Sequence, residues 1–289
     1  MFADTKLYLN IIGGKKFMDI LSVGGLVLAF TMFIVAFFME GGTFESLLQP
    51  TSAMIVFGGT IGTIMVSFPM TELKKLGKCM KIVFFNAPVD RLAIIDRLSE
   101  LGDKARRSGI LSLEEEIPKQ DNMLIRKGLE LIMSGLDKDL VYDALSRQAE
   151  IDEKDLDACA AIFEAAGGYS PTMGIIGTVM GMISVLSNIS GGAEELGHSI
   201  AVAFVATLYG VCFANVVYLA FGRKIKTVMK NQMSASELVV EGIVSIQAGE
   251  NPKVMKDKLG YETIAELEGV NLEARIAAAK ATQQSAKAQ

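Results

Sequence analysis

Ile200–Phe221 reads IAVAFVATLYGVCFANVVYLAF, an uncharged run that stops at Gly222 and the cations Arg223, Lys224 and Lys226. A hydrocarbon core about 30 Å thick takes roughly 20 residues of helix at about 1.5 Å each, so this stretch predicts a membrane span. Three other runs meet the same test: Ile20–Met39 (ILSVGGLVLAFTMFIVAFFM), Thr51–Met70 (TSAMIVFGGTIGTIMVSFPM) and Ala160–Ile189, which opens AAIFEAAGGYSP and continues TMGIIGTVMGMISVLSNI. Hydrophobic residues make up 51% of the 289-residue chain and pile into these four stretches, while the 28 Lys+Arg and 33 Asp+Glu fall almost wholly between and after them. That distribution excludes a disordered chain and argues against a water-soluble enzyme. The net charge of −5 also argues against a nucleic-acid binder, which would present a basic face. The first run is too long for a signal peptide, and no small-residue cleavage site follows it.

Cations set the orientation. Glu40–Pro50 and Ser190–Ser199, which link the paired runs, contain no Lys or Arg; three cations precede the first run, fifteen lie in the middle segment and ten follow the fourth. Both termini and the middle segment are therefore expected in the cytoplasm. The reading is an all-α, polytopic membrane protein with four transmembrane helices and a helical cytoplasmic domain between helices 2 and 3. Its divisions are an N-terminal extension (1–18), spans one and two with a short outer loop (19–70), the cytoplasmic helical domain (71–159), spans three and four (160–222), and a cytoplasmic C-terminal helical region and tail (223–289).

Within the middle block, Arg91–Ser108 places Leu92, Ile95, Leu98 and Leu101 at three-residue spacing, Gly109 marks a break, and Ser112 with Glu115 suggests a capping box. Leu124–Ser134, Lys138–Gln148 and Glu153–Phe163 continue the helical pattern. Glu72–Phe85 mixes cations with apolar residues and suits the headgroup plane. Ala277–Gln289 is a low-complexity tail. Cys79, Cys159 and Cys212 are an odd, widely spaced set without metal-ligand spacing, and they fit reduced, buried or membrane-facing thiols.

The spans are rich in small residues. Gly58-x-x-x-Gly62 and Gly177-x-x-x-Gly181, with Gly24, Gly25 and Gly174, permit close helix approach. Polar side chains sit on the third span (Thr178, Ser184, Ser187, Asn188) and the fourth (Thr207, Tyr209, Asn215, Tyr218). They suit either helix packing or an ion or water path. Thr178, a turn from Gly174 and Gly181, is placed to face a narrow, backbone-lined gap. Pro171 deletes a backbone donor and is expected to kink or loosen the third span. No acidic residue occupies mid-membrane depth: Asp19, Glu40 and Glu45 lie at span ends or outside, Glu164 near the inner mouth, and the one His, His198, in the outer loop. Ion translocation needs an intramembrane titrating group, so a conducting role requires a carboxylate from another chain. Phosphate loops, nucleophile constellations and metal clusters are missing from the sequence, so no enzyme activity is expected.

Lys104–Glu115 (KARRSGILSLEE), Pro171–Ile189 (PTMGIIGTVMGMISVLSNI), Ala203–Asn215 (AFVATLYGVCFAN) and Gly242–Pro252 (GIVSIQAGENP) agree in order and spacing with one family. From about Asp19 to Leu259 the chain resembles the A subunit of the flagellar stator, the MotA/PomA family, related to ExbB/TolQ. The resemblance implies a pentameric ring around the spans of two peptidoglycan-anchored B subunits (MotB/PomB), whose aspartate carries the ion. It implies spans three and four facing B, and ion flow that turns the ring against a flagellar rotor switch-complex protein (FliG). Arg106 and Glu114 fall on rotor-contacting positions, with Arg107 and Glu115 as neighbours, and Pro171 on the proline that couples ion binding to conformational change. Thr178 matches a hydroxyl of sodium-driven relatives, Thr207 joins it as a pathway candidate, and the ion is either H+ or Na+. A second proline of several relatives is Ala220 here, which favours a straighter fourth helix. An ExbB/TolQ-type energiser, which typically has three spans, and a non-conducting scaffold are the competing readings.

Overall fold

A computed structural model describes residues 17–86, 89–187 and 192–260. The expected N-terminal extension up to residue 16, Asn188 of the expected third span, and the Ala277–Gln289 tail lie outside the described residues.

The first span, α1 (Ile20–Met39), starts where the Asp19 carboxylate accepts the Leu21 and Ser22 amides at 3.2 and 3.3 Å, satisfying orphan donors of the first turn. None of its residues is buried although its hydropathy averages 2.5. A helix apolar on every side, with one side against the chain (Phe30 on Phe213) and no residue fully buried, is stable only in lipid or against other chains. The second span, α2, comprises residues 50–67: Pro50–Ala53, a π turn at Met54–Gly58, and Gly59–Ser67. It stops at Ser67 rather than Met70, because Phe68 precedes Pro69 and is driven to extended backbone (φ −125°, ψ 140°). The amphipathic α3 (Leu76–Phe84) follows, burying Cys79, Ile82 and Val83.

The middle block begins with α4 (Arg91–Ser108), capped by the Asp90 carboxylate on the Ala93 amide at 3.0 Å. Its buried face is Ile94, Ile95, Leu98, Leu101, Gly102 and Ala105, while Leu92 is exposed. The three-residue spacing thus misplaced the first apolar contact, since a 3.6-residue helix turns Leu92 outward and Ile94 inward. A ten-residue 3-10 helix, η1 (Ile110–Lys119), replaces the expected α-helical start. Ser112 donates to the Gly109 carbonyl at 2.7 Å instead of capping a helix with Glu115. After α5 (Met123–Met133), the two expected helices Lys138–Gln148 and Glu153–Phe163 merge with the third span into α6 (Lys138–Ser187), 50 residues long. The joining residues Ala149–Asp152 contain neither Gly nor Pro, so nothing stops propagation. The helix also runs through Pro171. The fourth span belongs to α7, residues 193–247, with a π turn at Ala214–Tyr218.

The chain divides into two units, each with its own core. One gathers residues 88–152 and 231–260, where α4, α5 and the ends of α6 and α7 bury Leu98, Leu101, Leu129, Leu145, Val239 and Ile243. The C-terminal segment therefore shares the core of the middle block. The other unit holds residues 17–87 and 153–230, with Val83, Ala160, Phe163, Phe221 and Ile225 packed around a disulfide between Cys79 and Cys159. That bond corrects the expectation of reduced thiols: the partners are 80 residues apart, a separation from which no pairing follows. Cys212 remains a free thiol. A two-residue antiparallel ladder, β1 (Phe17–Met18) with β2 (Phe85–Asn86), is the one departure from all-α structure among the described residues. It ties the start of α1 to the end of α3, reinforced by the Asp19 amide donating to the Phe84 carbonyl at 2.9 Å.

Candidate functional site

Two groups of predicted residues fall in the two units. In the apolar unit, the third and fourth spans meet along a seam of small residues. A Cβ placed on Gly174 would lie 3.0 Å from the Ala206 carbonyl oxygen and 3.2 Å from the Thr207 Cα; one on Gly210 would lie 2.7 Å from the Ser170 carbonyl oxygen. Neither backbone can move aside for a methyl group, so glycine is required at this crossing. Gly177 and Gly181 continue the seam against Ala206 and Ala203. A Cβ on Gly58 or Gly62, in contrast, would meet nothing within 4 Å among the described residues.

The close approach brings Thr178 and Thr207 into hydroxyl–hydroxyl contact. Thr178 Oγ1 also lies 3.1 Å from the Gly174 carbonyl and 3.0 Å from the Ala203 carbonyl. A hydroxyl has one proton, so Thr178 donates to one acceptor at a time, and two carbonyls with two hydroxyls form a small oxygen-rich cluster. Pro171 is seven residues earlier on α6, roughly 10 Å of helix rise, and is not part of that cluster. Its neighbour Ser170, fully buried, donates to the Gly210 carbonyl at 3.0 Å and pins the two spans beside the missing amide. Ser170 and Gly210 were not predicted. A serine before a span proline is too common to single out without knowing which helix faces it.

The outward sides of both spans are apolar. Ile175, Val179, Ile183 and Leu186 on the third, with Phe204, Leu208 and Val211 on the fourth, are exposed large hydrophobics at helical spacing. Near the charged ends, Glu164 pairs with Lys226 at 2.8 Å, Asp155 with Lys75 at 2.7 Å, and Asp19 with Lys224 at 2.5 Å.

In the charged unit, Arg106 and Arg107 occupy the last turn of α4, and Glu114 and Glu115 the middle of η1. Gly109 joins the two helices at φ 83°, ψ 159°, a backbone region that is nearly glycine-only. All four charged residues are exposed. Arg107 is clasped by Asp103 at 2.9 Å, and Glu115 has only a loose pair with Lys104 at 3.9 Å. Arg106 and Glu114 form no ion pair among the described residues.

One carboxylate holds this turn in place. Glu116, with a side chain only 10% exposed, accepts Lys104 at 2.7 Å, Lys119 at 2.9 Å and Arg97 at 2.8 Å. Hydrogen bonds from Lys104 and Lys119, ahead of that from Arg97, lower its pKa from 4.5 to about 2 against the opposing effect of burial. Sequence reasoning missed Glu116 because it stands third in the run Glu114–Glu115–Glu116. No local signal marks it, because the 3-10 repeat that puts Leu113 and Glu116 in one eclipsed row is seen only in the structure.

Fold and site together define a polytopic α-helical membrane protein with four helices long and apolar enough to cross a bilayer and a second, charged unit with its own core. The profile for the N-terminal region of motility protein A matches residues 23–109, and that of the MotA/TolQ/ExbB proton channel family matches residues 116–238. The chain is 35% identical over 243 residues to motility protein A of Bacillus subtilis (strain 168), covering 84% of this chain and 90% of that protein. To chemotaxis protein PomA of Vibrio alginolyticus it is 31% identical over 243 residues, covering 84% and 94%. Among solved structures, the flagellar MotAB stator complex from Bacillus subtilis superposes with a TM-score of 0.77 at 34% identity, covering 83% of this chain and 94% of that one. C. jejuni MotAB superposes with a TM-score of 0.79 at 28% identity, covering 84% and 94%. The chain belongs to the MotA/TolQ/ExbB proton channel family, on its motility protein A branch.

Proposed function

We propose that this chain is the A-type subunit of a flagellar stator, a channel component rather than an enzyme, which couples inward ion flow to torque on the rotor. The observation that carries the reading is chemical. The third and fourth spans have an oxygen cluster at Thr178 and Thr207 and uncovered apolar faces, yet the spans hold no mid-membrane acid of their own. A partner span bearing a carboxylate completes such a path. MotAB complexes, to which the chain is similar, are two-component assemblies by name. By that likeness the partner is a peptidoglycan-anchored B subunit of the MotB/PomB type, its aspartate is the ion carrier, and copies of this chain surround it as a pentamer in the inner membrane.

The distribution of Lys and Arg supports cytoplasmic termini, which puts the charged unit on the rotor side. There Arg106, Arg107, Glu114 and Glu115 meet the rotor switch-complex protein FliG. Pro171 and the Ser170–Gly210 bond beside it serve as the flexure between ion site and charged unit. The ion is H+ or Na+, and the four clustered oxygens, two hydroxyls of Thr178 and Thr207 and two carbonyls of Gly174 and Ala203, suit sodium better than a lone carboxylate does. A fourth span and the match to the motility protein A N-terminal region favour this reading over an energiser of outer-membrane processes.

The test is genetic removal of the chain in its own bacterium. Deletion cells should assemble flagella that do not rotate, and the plasmid-borne chain should restore rotation. Deletion cells that swim normally would overturn the proposal.

A further inference from the structure

The four charged side chains flank in sequence an apolar tip, Ile110–Leu111, that the proposed function has not used. Leu111 is 77% exposed and Ile110 38% exposed, on a helix whose other apolar side chains turn inward, Leu113 buried and Ile117 packed against the core. Water-facing leucine is common, but this one occupies a constrained place. In a 3-10 helix, residues three apart eclipse, so Leu111 and Glu114 stand in one row of η1, just as Leu113 and Glu116 stand in the row facing the core. A partner that touches the Glu114 carboxylate from solvent also meets Leu111.

Rigidity separates this tip from a frayed loop. Gly109 sets the reversal, Ser112 locks onto its carbonyl, and Glu116 draws η1 onto α4 through Lys104 and Arg97. The hydrophobic pair is therefore presented in one orientation at little conformational cost on binding.

Resting on the reading of this turn as the rotor contact, we propose that Leu111, seconded by Ile110, is the apolar anchor of that contact and the charges are its rim. The occupant is a face of the rotor protein with an apolar hollow bordered by both signs of charge, acidic toward Arg106 and basic toward Glu114. The division of labour follows from magnitudes. Exposed ion pairs contribute little each, being screened by water and salt, and act on encounter and register, whereas affinity concentrates in a few centrally buried side chains ringed by polar ones. Four exposed charges alone give a contact that salt dissolves; a buried leucine gives one that salt leaves standing.

The experiment titrates the full chain, in nanodiscs, against the purified rotor switch-complex protein of the same bacterium at low and high salt. Leu111→Asp should weaken binding about tenfold or more at both salt concentrations, and Leu111→Met should stay within about twofold of the unaltered chain. Arg106→Glu and Glu114→Lys should weaken binding mainly at low salt. Charge reversals that weaken binding while Leu111→Asp binds like the unaltered chain would overturn the anchor and leave the rotor contact standing. No binding by the unaltered chain would overturn the contact itself. Leu111→Asp dispersing the chain's own oligomer would place the tip between copies and overturn the anchor.

Discussion

Thr178 is the residue in which packing and the proposed function share atoms. Its hydroxyl stands among the carbonyls of Gly174 and Ala203 and the hydroxyl of Thr207, so its side chain both cross-links two spans and supplies oxygen to the proposed path. Thr178→Val keeps the shape and removes the oxygen. It should leave membrane insertion intact and change the dependence of swimming speed on sodium, with Thr178→Ser close to the unaltered chain; identical speed curves for the valine variant would reject a sodium role. Glu116 yields a prediction on the other unit. Its folded pKa of about 2 lies below the ordinary 4.5, so the unfolded chain takes up a proton first as pH falls. The stabilisation is complete above about pH 4.5 and is lost on acidification toward pH 2. Urea unfolding of the charged unit at pH 7, 4 and 3 should show that decline, and Glu116→Gln should lose about 1–3 kcal/mol at pH 7 and respond less to acid. An equal pH response in both would contradict the role given to Glu116. The sequence made Thr178 legible through its spacing from Gly174 and Gly181, but not its pairing with Thr207, which depends on which faces of two helices meet.

Elements differ in how much of them periodicity and composition disclose. The first span runs over Ile20–Met39 as its hydropathy predicts, because an uncharged run with an acidic cap has sharp edges. The 3-10 helix Ile110–Lys119 was hidden, since Ser112-x-x-Glu115 imitates a capping box and the 3-10 geometry emerges only when Glu116 draws in three cations. The 50-residue α6 was read as separate pieces because composition changes from charged to apolar along it, although nothing in Ala149–Asp152 breaks a helix. Pro171 lies within that helix without ending it. The deleted amide and the Ser170–Gly210 bond make this the weakest point of α6 that is nonetheless tethered to its neighbour. Pro171→Leu restores the donor and should stiffen the helix: membrane levels unchanged, torque reduced several-fold in tethered-cell rotation. Full torque would remove the flexure.

Across the whole molecule, two cores of different chemistry are built from interleaved segments. The sequence separated the C-terminal region from the middle block, whereas residues 235–259 supply Leu238, Val239, Ile243 and Leu259 to the core beneath α4. Such long-range pairing leaves no local trace. Nor does the Cys79–Cys159 bond, which joins α3 to the third span inside the apolar unit. Both sulfurs are shielded from exchange, so peptide mapping without reductant, after alkylation of intact cells, should recover the two cysteines linked. Two alkylated cysteines would contradict the bond.

On the proposed function, the third and fourth spans line an ion path whose titrating group belongs to another chain. The direct measurement is ion flux into liposomes that hold this chain alone, compared with liposomes that also hold its single-span, cell-wall-binding partner. Tight vesicles for the chain alone and carboxylate-dependent flux with the partner are the predicted result. Rapid collapse of the gradient by the chain alone would contradict it.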